Sequence, residues 1–457
     1  MRACFRLPAL AVAFSLLISA CGSPQYATLP AGNPQKAAAF IQPNSWLDRK
    51  IQHVVVIIQE NRSFDNLFQG VPGADTRSWG YDSKGDRVPL KPIDLASFWD
   101  LQHVLSSFLL TCDGRNAYPG TGCRMDGWDK EPVTCGQPGQ PPCPYKMPQY
   151  GYVPQSETKP YFDIASQYVI ADRMFASNLD GSSFISHQYI IAAQANSATN
   201  IPEGGPWGCG GGSGDKVPTV TKERALGPSI SPCFNNQTIG DELDKLNLPW
   251  KYYASARNTG FLWSAYQAIK HIRNGPDWKK DVVSPPTRFF SDIKKGDLGA
   301  VTWITPSCPN SDHAGCNSHT GPQWVATLVN AIGESQFWKS TAVFIFWDDP
   351  GGWYDHVPPH KVDYDGLGYR IPMLIVSPYA RQGYVSHVQY EHGSILRFIE
   401  ERFGLATLAA SDARATSPAR DAFDFDREPR KFVPIPSKMT EEDFLRQPVD
   451  YRDPDDE

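Results

Sequence analysis

The chain has 457 residues, a formal net charge of −6, a pI near 6.0 and a hydrophobic fraction of 41%. This length suits one large α/β domain or two ordinary domains, and the hydrophobic fraction excludes a chain that is disordered throughout. The mild acidity argues against a nucleic-acid partner, because phosphate backbones are bound by basic surfaces.

Residues 1–21 have the composition of a targeting segment. Arg2 and Arg6 precede an apolar stretch that is too short to span a bilayer, and this stretch ends in ISAC at Cys21. The pattern resembles a bacterial lipoprotein signal, which predicts export to the periplasm or cell envelope and a membrane anchor through lipid on Cys21. An ordinary secretory signal with an incidental cysteine is the alternative. Residues 22–43 are predicted to form a flexible tether.

Eight cysteines remain once Cys4 and Cys21 are set aside, and an even number in an exported chain favours disulfides. Eight cysteines allow 105 pairings, so the sequence does not fix the connectivity. Pairing between nearest neighbours is predicted. A zinc site is the alternative, although no CxxC pair occurs. The predicted disulfides are Cys112–Cys123, Cys135–Cys143, Cys209–Cys233 and Cys308–Cys316.

Short apolar and aromatic runs recur along the chain, and none alternates apolar with polar residues. Such runs are typical of strands buried on both faces of a parallel sheet. Helical patterns lie between them, so the sequence predicts an α/β fold with an open, mostly parallel sheet flanked by helices. The predicted strands lie at 54–58, 168–170, 250–254, 300–305, 342–347 and 373–377, and the predicted helices at 183–197, 237–246, 261–274, 321–338 and 392–403.

Two long segments interrupt this alternation. Residues 71–160 carry four cysteines, many prolines and few strand signals, and residues 198–235 contain GGPWGCGGGSG. Loops of this length in a compact domain usually form lids or binding walls, so both are predicted to be disulfide-bearing insertions. The predicted domain spans residues 44–405, and residues 406–457 are predicted to be a charged C-terminal extension.

Polar side chains follow several of the predicted strands. In an open α/β sheet, ligands bind at the carboxyl ends of the strands. Carboxylates and an amide gathered there would repel each other unless a cation neutralised them, and such oxygen ligands suit a divalent metal. Each of these polar residues alone could belong to a turn, cap a helix or be a surface histidine. Only their predicted position together at one edge of the sheet favours a metal site. The residues are Glu60, Asn61, Asp312, His313, Asp348 and Asp349.

A candidate nucleophile follows the strand at 168–170. Ser182 and Ser183 open an amphipathic helix, where backbone N–H groups and the helix dipole favour a phosphate. A serine at this position could instead only cap the helix. Because serine is a weak nucleophile, it would need a neighbouring base or metal.

Several blocks resemble, in order, the bacterial phosphoesterase family, which includes non-haemolytic phospholipases C and acid phosphatases within the alkaline phosphatase superfamily. The resemblance runs from about residue 51 to residue 404, and it implies an alkaline-phosphatase-like fold. It also implies a hydrolase that cleaves phosphate esters through a phosphoserine, acting on a phospholipid headgroup or a small phosphomonoester. The most specific blocks are ENRSFDNLFQG (60–70) and WDDPGGWYDHVPP (347–359); the others are MDGW (125–128), the turn and helix at 181–189, SDH (311–313), GLGYRIPMLIVSPYAR (366–381) and EHGSILRFIEERFG (391–404).

The resemblance also implies roles for individual residues. One divalent metal ion would be held by oxygen ligands, and histidines would bind phosphoryl oxygens and protonate the leaving alcohol. His356 and His392 fall in family blocks without a defined role. The implied metal ligands are Glu60, Asn61, Ser183, Asp348 and Asp349, and the implied catalytic residues are Ser183, His103, His271 and His313, with Ser182 as the alternative to Ser183.

One departure from the family bears on the substrate. Many of its phospholipases have a PNR-like stretch after the nucleophile, where this chain reads FISHQY (184–189), so phospholipase C and acid phosphatase remain alternatives. A sulfatase would need C/S-x-P-x-R, and the nearest match, TSPAR at 416–420, has Thr and lies far from Ser183. A catalytically inactive, ligand-binding surface lipoprotein is the remaining alternative, although all of the expected carboxylates are present.

Overall fold

The computed structural model of the protein describes residues 45–113, 123–203, 207–255 and 262–450. The predicted targeting segment, Cys21 and the predicted tether lie outside these ranges. Within them, no helix combines the length and the apolar character needed to cross a membrane.

Strands and helices alternate along most of the described chain. The strands are β1 (His53–Gln59), β2 (Trp79–Tyr81), β3 (Arg87–Pro89), β4 (Lys91–Pro92), β5 (Gly151–Tyr152), β6 (Val169–Phe175), β7 (Trp250–Tyr253), β8 (Val282–Val283), β9 (Val301–Ile304), β10 (Thr341–Trp347), β11 (Arg370–Val376), β12 (Tyr384–Ser386) and β13 (Tyr390–Glu391). The helices are α1 (Ser45–Lys50), α2 (Phe64–Phe68), α3 (Leu105–Asp113), α4 (Lys159–Gln167), α5 (Ser183–Ala192), α6 (Ile239–Lys245), α7 (Lys270–Arg273), α8 (Asp277–Lys280), α9 (Arg288–Lys294), α10 (Gly321–Gly333), α11 (His392–Phe403), α12 (Ala410–Arg414) and α13 (Glu441–Arg446).

The main sheet has nine strands in the described part of the chain. Its order is β12, β6, β11, β10, β1, β9, β7, β8, with β13 also paired to β6. All of these pairs are parallel except those of β11, which runs antiparallel to both β10 and β6. Because β11 is antiparallel to both neighbours, β6 points in the same direction as β1 and β10. The predicted open, mostly parallel sheet is confirmed, and each predicted strand is present.

The central strands are buried on both faces. Residues 54–58 of β1 and 342–347 of β10 are fully inaccessible to solvent. A strand that is apolar on both faces needs cover on both, which is why near-continuous apolar runs mark a sheet enclosed by helices. The helices pack in two groups, α10 with α4 and α9, and α11 with α1, α5 and α12.

Several helices are shorter than their sequence patterns. The helix α5 ends at Ala192 because Ala193 adopts a left-handed conformation with φ 57°, whereas the pattern extends to residue 197. Similarly, α10 ends at Gly333 rather than at residue 338. The pattern at 261–274 forms a 3-10 turn over Ala265–Ala268 followed by the short α7.

The insertions contain little regular structure and three of the disulfides. All four nearest-neighbour disulfides are formed, which confirms the predicted pairing and excludes the zinc alternative for these cysteines. The first insertion also contains two small sheets, β2 with β3 and β4 with β5. The sequence did not predict these strands because each is only two or three residues long.

The C-terminal segment packs onto the domain through aromatic side chains. Phe444 is fully buried, and its ring lies 5.1 Å from that of Trp324. Phe432 makes a similar contact with Trp338, at a ring distance of 5.0 Å. Residues 406–450 therefore contribute to the hydrophobic core.

Candidate active site

The ends of the two central strands bring together carboxylates that are far apart in the sequence. Gln59 pairs with Trp347 at the last position of the β1–β10 register, and the backbone N–H of Asp348 donates to the carbonyl of Gln59 over 3.0 Å. Glu60 and Asp348 therefore leave the sheet side by side. Both side chains are fully buried, as expected for a site at the carboxyl edge of a parallel sheet.

Asn61 turns the chain sharply at this edge. Its φ of 56° is left-handed, a conformation that asparagine tolerates better than most residues. The turn after Asp349 fits closely against it, because a Cβ on Gly351 would lie 2.2 Å from the carbonyl oxygen of Asn61. Gly351 itself has a φ of +59°, so both space and backbone conformation require glycine there.

The guanidinium of Arg62, the next residue, has its partners outside this group of acidic and amide side chains. Its side chain points to other partners, since Nε donates to the carbonyl of Asp312 over 2.7 Å and Nη2 donates to the carbonyl of Leu95 over 3.0 Å. The guanidinium also stacks on Trp353 at 4.8 Å. Arg62 therefore fastens loops around the site.

Glu60, Asn61, Asp348 and Asp349 form the strand-end cluster. Ser183, the first residue of α5, contacts two of them. Its Oγ donates to Asp349 Oδ2 over 3.1 Å and accepts from Asn61 Nδ2 over 3.1 Å. Ser182 Oγ is also buried but has no hydrogen-bond partner among the described residues. The geometry thus distinguishes two serines that the sequence left as alternatives.

His187 belongs to this cluster, and sequence reasoning missed it. It lies one helical turn after Ser183, and its Nε2 is 3.0 Å from Glu60 Oε1 and 3.8 Å from Asp348 Oδ2. Single ligand atoms of Glu60, His187 and Asp348 all lie within 4.8 Å of one another. The available signal was the spacing of four residues from Ser183, which places both side chains on one helix face.

The predicted histidines divide into two locations. His103 and His313 lie together with ring centroids 6.1 Å apart, and both are buried. His103 Nε2 is 2.9 Å from Asn61 Nδ2, which connects this pair to the strand-end cluster. His271 is instead partly exposed on α7, with its ring nitrogens 3.0 Å from Asn235 Oδ1 and 2.8 Å from Asp241 Oδ1. The catalytic position predicted for His271 therefore has no geometric support, because local acceptors on the surface hold both nitrogens.

Asp312 was grouped with the strand-end carboxylates, but its side chain binds Tyr161 and Trp347 and supports the end of β10. Its Oδ2 accepts from Tyr161 over 2.7 Å and from the indole of Trp347 over 3.0 Å. Burial raises the pKa of Asp312 to about 6, against the influence of these bonds and of Arg62. Asp312 therefore holds the end of β10 immediately before Asp348.

A second acidic cluster, Asp65 and Asp355 beside His356, has the guanidinium of Arg370 as its counter-charge. Arg370 Nη2 lies 3.2 Å from Asp65, and Arg370 Nε lies 3.0 Å from Asp355. Although burial opposes the charged form, the hydrogen bond that His356 donates to Asp65 and the negative charge of Asp65 raise the pKa of His356. This cluster is an ion-pair network. His392 is fully buried against the ring of Phe346, and burial lowers its pKa to about 3.

The strand-end cluster fits a divalent cation. Glu60, Asp348 and Asp349 are fully buried carboxylates, and burying like charges together is costly without a counter-charge. Asn61 Oδ1 is buried and accepts no hydrogen bond within the part of the chain that the structure describes. An amide oxygen and several carboxylates are hard donors of the kind that divalent metals bind.

Comparison with known proteins supports the resemblance seen in the sequence. The Phosphoesterase family pattern matches residues 51–406. A non-hemolytic phospholipase C of Pseudomonas aeruginosa is 23% identical over 415 residues, covering 78% of this chain and 54% of that protein. Phospholipase C A of Mycobacterium tuberculosis is 22% identical over 400 residues, covering 78% of this chain and 73% of that protein. The chain thus spans about half the length of the Pseudomonas relative.

Among solved structures, a protein in the alkaline phosphatase superfamily from Vibrio parahaemolyticus is similar with a TM-score of 0.40 and 10% identity. The similarity covers 85% of this chain and 76% of that one. The family pattern extends from the residues before β1 to those after α11, and so includes the strand-end cluster and Ser183. The chain belongs to the phosphoesterase family.

Proposed function

We propose that this protein is a metal-dependent phosphoesterase that hydrolyses phosphate esters through a phosphoserine at Ser183. The observation that carries the proposal is the contact of Ser183 Oγ with both Asp349 and Asn61 at 3.1 Å. Family membership and relatives named as phospholipases C support the reaction class.

The start of α5 suits a phosphoryl group. The first N–H groups of a helix have no partner within the helix, and the helix dipole places partial positive charge there. Ser183 stands at this point as the first helical residue. A phosphate ester bound here would meet its nucleophile and its backbone donors together.

In the first step, Ser183 Oγ attacks phosphorus while its proton passes to Asp349 Oδ2, which already accepts its hydrogen bond. The bond from phosphorus to the alcohol oxygen breaks, and the alcohol leaves with a proton. In the second step, water attacks phosphorus, the bond from phosphorus to the serine oxygen breaks, and that oxygen regains the proton held by Asp349. The product is inorganic phosphate from a monoester, or the phosphorylated headgroup alcohol from a phospholipid. A metal held by Glu60, Asn61, Ser183, Asp348 and Asp349 would supply Lewis-acid stabilisation of phosphoryl oxygens when bound.

The histidines have separate parts in this proposal. The carbonyl of Leu101 can only accept, so His103 donates from Nδ1 over 2.7 Å and its Nε2 accepts from the Asn61 amide. His103 therefore orients Asn61 toward Ser183. His313, beside His103, is proposed to protonate the leaving alcohol.

The test compares p-nitrophenyl phosphate with p-nitrophenylphosphorylcholine, each with and without chelator. We expect hydrolysis of at least one substrate, loss of activity with chelator, and recovery on adding a divalent cation. The preferred substrate separates acid phosphatase from phospholipase C. Activity on neither substrate with any added ion would favour the inactive, ligand-binding alternative.

The nucleophile is tested by replacing each serine in turn. Ser183→Ala should lower kcat by at least about 10³-fold, because no other group then forms the covalent intermediate. Ser182→Ala is the matched control and should retain activity. Full activity of Ser183→Ala would place the nucleophile elsewhere.

Anchoring of the exported protein through lipid on Cys21 is also part of the proposal. Cys21→Ala should abolish incorporation of labelled fatty acid and release the protein from the membrane fraction. Labelling that persists in this variant would contradict the anchor.

A further inference from the structure

His187 differs from the residues of the strand-end cluster because its ligand atom is a nitrogen, whereas theirs are oxygens. It is fully buried on α5, and its Nε2 faces Glu60 Oε1 at 3.0 Å and Asp348 Oδ2 at 3.8 Å. These distances match two kinds of arrangement, a protonated histidine paired with carboxylates or a set of ligands around one ion. The partner of Nδ1 fixes the tautomer of the neutral ring, whereas metal titration distinguishes the two arrangements.

Tyr252 determines which ring nitrogen carries the proton. Its hydroxyl donates to the carbonyl of Trp263 over 3.0 Å, which uses its single hydrogen. The same oxygen lies 3.3 Å from His187 Nδ1 and therefore accepts from it. The neutral ring consequently has its proton on Nδ1 and its lone pair on Nε2, directed at the carboxylates.

A lone pair facing two carboxylate oxygens is unfavourable unless a cation lies among them. A histidine that ligates a metal through one nitrogen and donates a hydrogen bond through the other is the usual arrangement in metal sites. The contact from His187 to Tyr252 has this form.

We propose that His187 is a ligand of the divalent metal, so that the site combines one imidazole nitrogen with carboxylate and amide oxygens. The proposal rests on the proposed function, which places a metal at this cluster. It also adds a nitrogen to the all-oxygen set of Glu60, Asn61, Ser183, Asp348 and Asp349.

The donor set then predicts the class of metal. Calcium and magnesium bind oxygen ligands, whereas imidazole suits first-row transition ions and zinc. We infer that this chain selects an ion such as Zn²⁺ over Ca²⁺ and Mg²⁺. The selection follows from His187 in the FISHQY segment, which departs from the PNR-like stretch of many phospholipases in the family.

The experiment measures metal binding directly and without substrate. The metal-free protein is titrated with Zn²⁺ and separately with Ca²⁺ against a competing chelator, and bound metal is counted by mass spectrometry. His187→Gln should lower Zn²⁺ affinity by at least about 100-fold, since even outer-shell changes typically cost about 10–100-fold. Its Ca²⁺ affinity should change less than about threefold, because Gln offers an oxygen in a similar place. The matched control is His53→Gln at the opposite end of β1, which should bind Zn²⁺ like the unmodified protein.

A second variant keeps the proposal testable if His187→Gln fails to fold. Tyr252→Phe retains the ring but removes the acceptor of His187 Nδ1, and it should lower Zn²⁺ affinity about 10-fold. Cobalt provides a spectroscopic readout, because loss of the imidazole should change the visible absorption of the Co²⁺-loaded protein.

The outcomes separate the two proposals. Unchanged or tighter Zn²⁺ binding by His187→Gln would overturn the ligand assignment and indicate a protonated counter-ion, while leaving the metal-dependent function intact. If the unmodified protein bound no divalent ion, the proposed function and this inference would both fail.

Discussion

Asn61→Asp tests whether the strand-end groups converge as the structure shows. Asn61 Nδ2 lies 3.2 Å from Asp349 Oδ2 and 2.9 Å from His103 Nε2. The substitution replaces this donor with a carboxylate oxygen of nearly the same shape. Two unit charges 3.2 Å apart repel by about 5 kcal/mol at an effective dielectric constant of about 20, and the lost hydrogen bond to a charged group adds about 1.5–3 kcal/mol.

Relaxation of the side chains reduces this sum, so we expect the free energy of unfolding in chelator to fall by about 3–5 kcal/mol. A divalent cation should restore most of that loss, because it neutralises the added charge. The assay is urea unfolding followed by tryptophan fluorescence, with chelator and then with excess cation.

Asn66→Asp is the matched control. Asn66 is equally buried, but its Oδ1 accepts from Arg62 Nη1 over 3.2 Å, so a new carboxylate there meets a guanidinium. We expect this variant to lose less stability and to respond little to added cation. Equal losses in the two variants, with equal recovery by the cation, would refute the proposed convergence around a metal.

Two further predictions concern stability. Because burial lowers the pKa of His392 to about 3, its folded form stays neutral while the unfolded chain gains a proton below pH 6.5. Stability from this residue is therefore present above pH 6.5 and falls by about 3 kcal/mol on acidification to pH 4; His392→Gln should show a shallower loss in urea unfolding across this range, and an unchanged slope would contradict the prediction. Phe444→Ala should lower the free energy of unfolding by about 3–5 kcal/mol, because the ring is fully buried against Trp324. Its control, Leu445→Ala, lies at a half-exposed position and should change stability by less than about 0.5 kcal/mol; similar effects of the two would mean that the C-terminal segment is not part of the core.

Much of the site could be predicted because its residues occupy definable positions along strands. Glu60 and Asp348 directly follow the strands β1 and β10, and parallel pairing brings such positions to one edge of the sheet. His187 and His271 could not be assigned in this way. Each lies on a helix, and whether a helical side chain faces the site or the solvent depends on how that helix packs. The structure turns His187 toward Glu60 and turns His271 toward Asp241.

The sequence by itself determined the α/β class, the buried strands and the acidic edge, and it favoured nearest-neighbour disulfides without fixing their pairing. These features follow from local chemistry, namely apolar runs, short cysteine spacings and polar residues at strand ends. Only the tertiary structure decided that Ser183 rather than Ser182 contacts Asp349, that Asp312 braces Trp347, and that His187 joins the carboxylates. The physical reason is that contacts between distant segments depend on register and helix orientation, and a shift of one residue moves a side chain to another face.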